Sequence, residues 1–250
     1  MPVGTTLRSQ PSPDRSRVLA MFPFLNEAPK LEAMARRLRP GLVDAYLGVN
    51  NGSRDNGAEI LRSQGIPVID QPKRGVGSCI RSAVHYAREN GYEVLVVMAG
   101  NDKDDPEEIP LLLEPIRTGR ADYVQGSRFL AGGSSPNLPF FRWAAIKLLS
   151  ILFRIFSGTA CTDLTNGFRA YKISILDDTR VDIEQSWLDA YEFEYYVHWK
   201  VFQLGYRICE VPVTKTYPSA KGVPYTKIKP VTDWWKMLRP FVLLALGIRK

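Results

Sequence analysis

The sequence of 250 residues contains few of the side chains that build metal or disulfide centres. It has three cysteines and two histidines. Cys79, Cys161 and Cys209 lie far apart and match no metal-ligand spacing, so we expect buried thiols in a reducing compartment. Two histidines are too few for a histidine-based metal site. These shortages argue against a zinc centre and against a disulfide framework.

Long apolar runs are also lacking. Residues 1–17 are polar and contain no apolar segment of the kind found in signal peptides, so we expect a flexible leader there. The apolar stretches at 143–156 and 241–248 are interrupted by charge or too short to span a bilayer. We therefore expect a cytoplasmic protein that is peripheral at the membrane.

Charge is distributed unevenly along the chain. The net charge is +7, and residues 200–250 contain ten Lys or Arg against two acidic residues. Such a basic segment suits phosphate groups or an anionic membrane surface. No helix-turn-helix or zinc-finger pattern supports a nucleic-acid partner.

Apolar strand patterns alternate with helical patterns over the first half of the chain. Strands are predicted at 18–22, 43–49, 66–69, 93–98, 122–125 and 207–216, and helices at 27–39, 56–63, 77–90, after Asp105-Pro106, and at 140–157, 191–204 and 231–246. The alternation indicates an α/β fold with a mostly parallel sheet flanked by helices. We divide the chain into the leader 1–17, a domain at 18–230 and a C-terminal amphipathic helix at 231–250.

The predicted helix at 140–157 is largely apolar. Lys147, Ser150, Arg154 and Ser157 fall on one narrow stripe at 100° per residue. Two interpretations follow: a core helix with a polar stripe, or an amphipathic helix that lies on a membrane or lines a lipid site.

In parallel sheets, ligands bind beyond the carboxyl ends of the strands. The segments that follow the first four predicted strands are 23–27, 50–55, 73–77 and 99–105. The third is a basic, glycine-rich entry to a helix, which presents N–H groups to a phosphate. The fourth is an acidic cluster, a candidate Mg²⁺ or Mn²⁺ site in which Asp104 or Asp105 can alternatively cap a helix.

Taken in order, these segments resemble family 2 glycosyltransferases of the dolichyl- or polyprenyl-phosphate hexose synthase type. The matching elements are Pro23, Asn26 and Glu27 with Pro-Ala-x-Asn-Glu, 50–55 with Asp-Asp-Gly-Ser-x-Asp, 74–77 with the basic Gly-x-Gly entry, 126–129 with Gly-Ser-Arg-Tyr/Phe, 163–169 with Asp-x-x-Ser-Gly-Phe-Arg, and 191–194 and 205–213 with the closing helix and strand. The resemblance implies the Rossmann-like GT-A fold and inverting hexosyl transfer. It also implies a nucleotide-sugar donor and a polyprenyl phosphate acceptor.

The resemblance also assigns roles to residues. Those implied for the nucleotide sugar are Pro23, Asn26, Glu27, Asn51, Ser53, Arg74, Gly75 and Asn101. The catalytic candidates that we select are Asp102, Lys103, Arg128 and Asp163. Those implied for the acceptor and its phosphate are Arg169, Lys221, Tyr225 and Lys227.

Two departures from the family pattern affect the metal and the base. The Asp-x-Asp metal motif aligns with Ala99-Gly100-Asn101, and Asn50-Asn51 replaces the aspartates of the second loop. Because hard cations prefer anionic oxygen ligands, a divalent cation is in doubt. The nucleotide base is left open, with uracil and guanine as the main alternatives.

Three hypotheses then remain for the loop after the fourth strand. Lys103 replaces part of the cation's role and neutralises the leaving diphosphate. Alternatively, Asp102 with Asn101 or Asp104 still holds Mg²⁺ or Mn²⁺. In the third, the site is degraded and the protein only binds nucleotide.

The acceptor decides whether a general base is needed. A phosphate oxygen is already anionic and needs little help, whereas a hydroxyl requires a carboxylate base. Asp163 is the first candidate for that base. A soluble family 2 transferase that acts on a small-molecule or glycan hydroxyl is therefore the alternative enzyme.

Overall fold

The computed structural model of the protein describes residues 16–72, 74–158, 161–218 and 232–249. Its strands are β1 (Val18–Phe24), β2 (Ala45–Asn50), β3 (Val68–Asp70), β4 (Val94–Val97), β5 (Tyr123–Ser127), β6 (Arg169–Lys172) and β7 (Ile208–Pro212). They form one sheet in the order β3-β2-β1-β4-β6-β5-β7. Strand β6 is antiparallel to β4 and β5, and the other neighbours are parallel.

Helices cover both faces of this sheet. They are α1 (Ala28–Ala35), α2 (Gly57–Ser63), α3 (Val76–Glu89), α4 (Ile109–Arg117), α5 (Phe140–Ser157), α6 (Glu192–Gln203) and α7 (Thr232–Ala245). A short 3₁₀ turn, Pro106–Glu108, precedes α4, and the Asp105 carboxylate caps it by accepting from the Glu107 N–H at 3.1 Å. The capping expectation is thus confirmed for Asp105.

Strand β1 shows why the first apolar run of the sequence forms a central strand. Leu19 and Met21 lie in the core on one face of the sheet, and Val18, Ala20 and Phe22 lie in the core on the other. A strand covered on both faces has no solvent side, so its sequence does not alternate between apolar and polar residues. The predicted α/β class and mostly parallel sheet are confirmed.

Two strand predictions were wrong. Strand β6 was missed because two of its four residues, Arg169 and Lys172, are basic, which conceals a central strand. The strand predicted at 207–216 ends at Pro212. Beyond it, the chain makes isolated bridges, Ser134 with Thr214 and Asp104 with Lys215, which carry it towards the loop after β4.

Helix α5 has the predicted bounds but a different exposed face. Ser150, expected on a polar stripe, is buried, and its hydroxyl accepts from the Leu164 N–H at 3.3 Å. The exposed side chains include Leu148, Ile151 and Ile155, which are 57%, 55% and 69% exposed. The helix therefore presents an apolar face to solvent, and the expectation of a core helix with a narrow polar stripe was wrong.

Helix α7 contributes to the core of the sheet domain. The Phe241 ring packs against Phe153, Tyr195 and Trp199, with centroid distances of 5.1, 5.5 and 6.2 Å. The division into 1–17, 18–230 and 231–250 stays a prediction. Among the helices in the described part of the chain, none combines the length and apolar composition needed to cross a bilayer.

Candidate functional site

A cavity of about 410 Å³ lies at the carboxyl ends of β1 and β4. Its described lining comes from the loops after β1, β2 and β4, from the segment before β6 and the chain after β7, and from helices α1, α3, α5, α6 and α7. Ligands are expected at this edge of a parallel sheet. Of the predicted site residues that the structure describes, six line the cavity: Pro23, Asn26, Glu27, Asn51, Asn101 and Lys103.

The loops after β1 and β2 are joined by hydrogen bonds through Asn26. Its backbone N–H donates to Ser53 Oγ at 3.0 Å, and its Oδ1 accepts from the Arg54 N–H at 2.8 Å. Asn26 has a φ of 49°, in the left-handed region that asparagine tolerates better than most residues. Ser53 is not among the described lining residues, so in this structure it positions Asn26 instead of facing the cavity.

The glycine-rich entry to α3 is closely packed. The Gly75 N–H donates to Asn51 Oδ1 at 2.7 Å, and a Cβ on Gly75 would lie 2.0 Å from the Asp189 carbonyl oxygen. The Ser78 N–H donates to that same oxygen at 3.0 Å. Arg74 and Gly75 are not among the described lining residues. Their placement therefore does not support the predicted contact with a diphosphate, although Val76, the first residue of α3, does line the cavity.

Each aspartate in the loop after β4 has a partner within the protein. Asp102 and Asp105 both pair with Arg37. Asp104 is buried and pairs with Lys215, with 2.5 Å between Oδ1 and Nζ. Within the described ranges, no group of three or more His, Cys, Asp or Glu side chains is arranged to hold a metal ion.

Asn101 occupies the second position of the expected Asp-x-Asp motif and lines the cavity. Its Oδ1 atom is buried and has no hydrogen-bond partner among the described residues. Leaving a buried acceptor unsatisfied costs about 1–3 kcal/mol. A bound ligand that donates a hydrogen bond to this oxygen would recover that cost.

Four basic side chains stand among the described residues that line the cavity: Lys30, Lys103, Arg142 and Lys215. Lys103 Nζ and Arg142 Cζ lie 5.2 and 5.5 Å from the centroid of the same ring, that of Tyr217. The pKa of Lys103 is lowered to about 8. Burial is the main cause, and the positive charges of Lys215, Arg142 and Lys30 add to it. Repulsion of this kind indicates a positive potential in the cavity, which favours an anionic ligand.

Arg128 and Asp163 form a buried ion pair beside the cavity. They are 3% and 0% exposed, and the contacts Nε–Oδ2 and Nη2–Oδ1 are both 2.6 Å. Arg128 also donates to the hydroxyls of Thr165 and Tyr217, two residues that line the cavity. Because its carboxylate is held by Arg128, Asp163 does not suit the base role predicted for a hydroxyl acceptor.

Arg169 lies in the core, at the start of β6. Its guanidinium donates to Tyr123 Oη and to the carbonyl oxygens of Leu164 and Glu194, each at 3.0 Å, and to the Asn166 carbonyl at 2.9 Å. It is not among the described residues that line the cavity. Its predicted phosphate contact is therefore unsupported, since its donors bind the protein itself. The other predicted acceptor residues, Lys221, Tyr225 and Lys227, lie outside the described residues.

Sequence analysis did not select Lys30, Arg142, Lys215 or Tyr217, which all line the cavity. Lys215 and Tyr217 follow β7, so the same rule of strand ends could have indicated them. Arg142 is a lone charge near the start of an apolar helix, and Lys30 follows Glu27 by one helical turn. Neither of these two patterns distinguishes a ligand-binding cation from a surface one.

The fold of this chain is the GT-A fold of glycosyltransferases. A structure of glucosyl-3-phosphoglycerate synthase from Mycobacterium tuberculosis with Mn²⁺, uridine diphosphate and glucosyl-3-phosphoglycerate has a TM-score of 0.67 to this chain. The match covers 94% of this chain and 81% of that chain at 16% identity. At this identity the likeness shows the shared fold alone.

The chain belongs to glycosyl transferase family 2, whose family model matches residues 20–198. The undecaprenyl-phosphate mannosyltransferase of Micrococcus luteus is 33% identical over 205 residues, which cover 79% of this chain and 83% of the relative. The polyprenol monophosphomannose synthase of Mycolicibacterium smegmatis is 28% identical over 208 residues, covering 80% and 77%. The predicted family and GT-A fold are therefore confirmed, and the protein is a family 2 glycosyltransferase.

Proposed function

We propose that the protein transfers a hexose from a nucleotide sugar to a polyprenyl phosphate at the cytoplasmic surface of a membrane. The two relatives carry names that describe an undecaprenyl-phosphate mannosyltransferase and a polyprenol monophosphomannose synthase. The nucleotide sugar is assigned to the loops after β1, β2 and β4, which line the cavity through Asn26, Asn51 and Asn101.

The observation that carries the acceptor assignment is the position of helix α5. Arg142 in its first turn lines the cavity, while Leu148, Ile151 and Ile155 further along are exposed. An apolar helix face beside a basic cavity suits a lipid phosphate, because the chain stays in the bilayer and the phosphate reaches the cations. Arg154, also exposed on α5, adds positive charge towards an anionic membrane surface.

The chemistry suits a phosphate acceptor. A phosphate oxygen attacks C1 of the hexose, the bond from C1 to the diphosphate oxygen breaks, and the nucleoside diphosphate leaves with the electron pair. A single displacement of this kind inverts the configuration at C1. An anionic phosphate needs no general base, which is consistent with Asp163 being held by Arg128. The protein then has to align the two substrates and neutralise the leaving group.

The direct test is a donor screen with a lipid acceptor. Purified protein is incubated with UDP-, GDP-, CDP- and dTDP-sugars and a short-chain polyprenyl phosphate, and lipid-linked sugar is followed by mass spectrometry. We expect one donor to give a lipid-linked hexose. Sugar transfer to a soluble hydroxyl acceptor, or nucleotide binding without transfer to any acceptor, would overturn the proposal in favour of one of the two alternatives.

The membrane surface is tested separately by co-sedimentation with vesicles that contain anionic lipid. Burying an aliphatic side chain contributes about 1.5–3 kcal/mol when it is complete. We expect the double variant Ile151→Ser/Ile155→Ser to reduce vesicle binding by at least about tenfold. Leu111→Ser on α4 is the matched control, because Leu111 is also an exposed helical residue. Equal binding of the α5 variant and the control would contradict the membrane assignment.

A further inference from the structure

The residues around the cavity do not fit a divalent cation. Mg²⁺ and Mn²⁺ prefer carboxylate oxygens, but the first position of the expected motif is Ala99 and the second is Asn101, a neutral amide. Asp102 pairs with Arg37 instead. Asp104 pairs with Lys215, and its second oxygen accepts from the Ala99 N–H at 2.9 Å.

The two carboxylates that line the described part of the cavity are also occupied. Glu27 pairs with Lys30 at 2.6 Å, and Glu194 lies 3.8 Å from the Arg169 guanidinium. A cation bound here would therefore have to compete with basic side chains that already hold these oxygens. The side chains around the cavity therefore suit an anion and not a metal cation.

Tyr217 brings two cations of this site together. Lys103 and Arg142 come from different elements, the loop after β4 and helix α5, and both lie against the Tyr217 ring. The Tyr217 hydroxyl accepts a hydrogen bond from Arg128, which is itself fixed by Asp163. The ring therefore sets the position of both cations relative to the cavity.

The backbone of Lys103 is fixed as well. Its carbonyl oxygen accepts from the Thr216 N–H at 2.9 Å, and the next residue, Asp104, bridges to Lys215. Charges that are held in place before the reaction stabilise a leaving anion without the cost of reorganising solvent. A fixed pair of cations can therefore supply what a metal supplies in other transferases of this fold.

We propose that Lys103 and Arg142, held against Tyr217, neutralise the diphosphate of the donor in place of a divalent cation. The inference rests on the proposed function in one respect, since it assumes that the ligand is a nucleoside diphosphate sugar. It adds Arg142, which sequence analysis did not select, and it makes Tyr217 the residue that positions both cations. No metal-dependent step is part of the reaction.

The test measures nucleoside diphosphate binding as well as transfer. Titration calorimetry is run in EDTA and in Mn²⁺ with the diphosphate of the donor found in the screen, or with UDP and GDP if no donor is found. Wild type is compared with Lys103→Met, Lys103→Arg and Arg142→Gln. Arg36→Gln is the control, because it removes one charge from an exposed pair with Glu32 on α1.

We expect wild type to bind the diphosphate equally in EDTA and in Mn²⁺. A hydrogen bond to a charged group contributes about 1.5–3 kcal/mol, so Lys103→Met and Arg142→Gln should each weaken binding by about 10- to 150-fold. Lys103→Arg should retain most of the affinity, because the charge is kept. Affinity for the uncharged nucleoside should not change in any variant, and circular dichroism confirms that each is folded.

Binding that is lost in EDTA and restored by Mn²⁺ would overturn the inference while leaving the proposed transfer reaction standing. So would a Lys103→Met variant that binds the diphosphate as tightly as wild type. If no acceptor is glycosylated but the diphosphate binds in EDTA through Lys103, the proposed function fails and the cation pair is supported. The two failures are therefore distinguishable.

Discussion

The buried pair of Arg128 and Asp163 allows a quantitative test of the structure. Arg128→Met keeps an unbranched apolar side chain in place of the arginine stem but removes the guanidinium, which leaves the Asp163 carboxylate, 0% exposed, without its ion-pair partner. Breaking one side of a buried ion pair costs about 3–5 kcal/mol. For a chain of this size, such a loss lowers the melting temperature by about 6–20 °C.

The matched control is the double variant Arg128→Met/Asp163→Leu. Removing both charges eliminates the uncompensated carboxylate, so most of the lost stability should return. The recovery should be incomplete, because the Arg128 N–H also donates to Asp163 Oδ2 at 3.0 Å and would lose this acceptor. An orphaned N–H of this kind costs about 1–3 kcal/mol.

The assay is urea denaturation followed by circular dichroism and tryptophan fluorescence, with the two signals compared to establish a two-state transition. A single variant that loses less than about 1 kcal/mol would refute the buried geometry. A double variant no more stable than the single one would show that the cost does not come from the unpaired carboxylate.

Two further predictions concern stability. Gly77→Ala should destabilise the protein by about 1–3 kcal/mol, because the new Cβ would lie 2.0 Å from the Leu188 carbonyl oxygen; an unchanged melting temperature would contradict this packing. His198 is buried beside Arg169, and burial first, then that charge, lowers its pKa from 6.5 to about 3. Between these values the unfolded chain binds a proton that the folded chain does not, so unfolding free energy should fall by up to about 1.4 kcal/mol per pH unit as pH decreases below about 6.5. His198→Gln should flatten this dependence and the control His85→Gln should not, as measured by denaturation between pH 4 and 7.

Sequence patterns predicted those strands and helices whose buried residues are apolar. The apolar runs of β1 and β4 and the periodicity of α3 indicated the correct element types, although the bounds moved by one or two residues. Strand β6 was hidden because Arg169 is buried with four hydrogen bonds, two of which go to Tyr123 and Glu194, 46 and 25 residues away. No local pattern specifies such distant partners. Local sequence also could not decide which face of α5 is exposed. A largely apolar helix suits a core position and a membrane surface equally well, so both interpretations stayed open.

The acidic loop shows why the candidate site was harder to predict than the fold. Its aspartates suggest a metal site when only the loop itself is considered. The basic residues that pair with them are distant in sequence: Arg37 precedes Asp102 by 65 residues, and Lys215 follows Asp104 by 111. Tertiary partners, not the loop itself, decide whether a carboxylate is available to a ligand.

The same reasoning connects the two altered positions of the Asp-x-Asp motif with Lys103. Aspartates at positions 99 and 101 would lie in the same loop as Lys103 and would offset its charge, which would weaken its attraction for a diphosphate. Alanine and asparagine at these positions avoid that competition. The changes that remove the expected metal ligands are therefore the same changes that a site based on lysine and arginine requires, and the loss of carboxylates and the presence of Lys103 form one consistent arrangement.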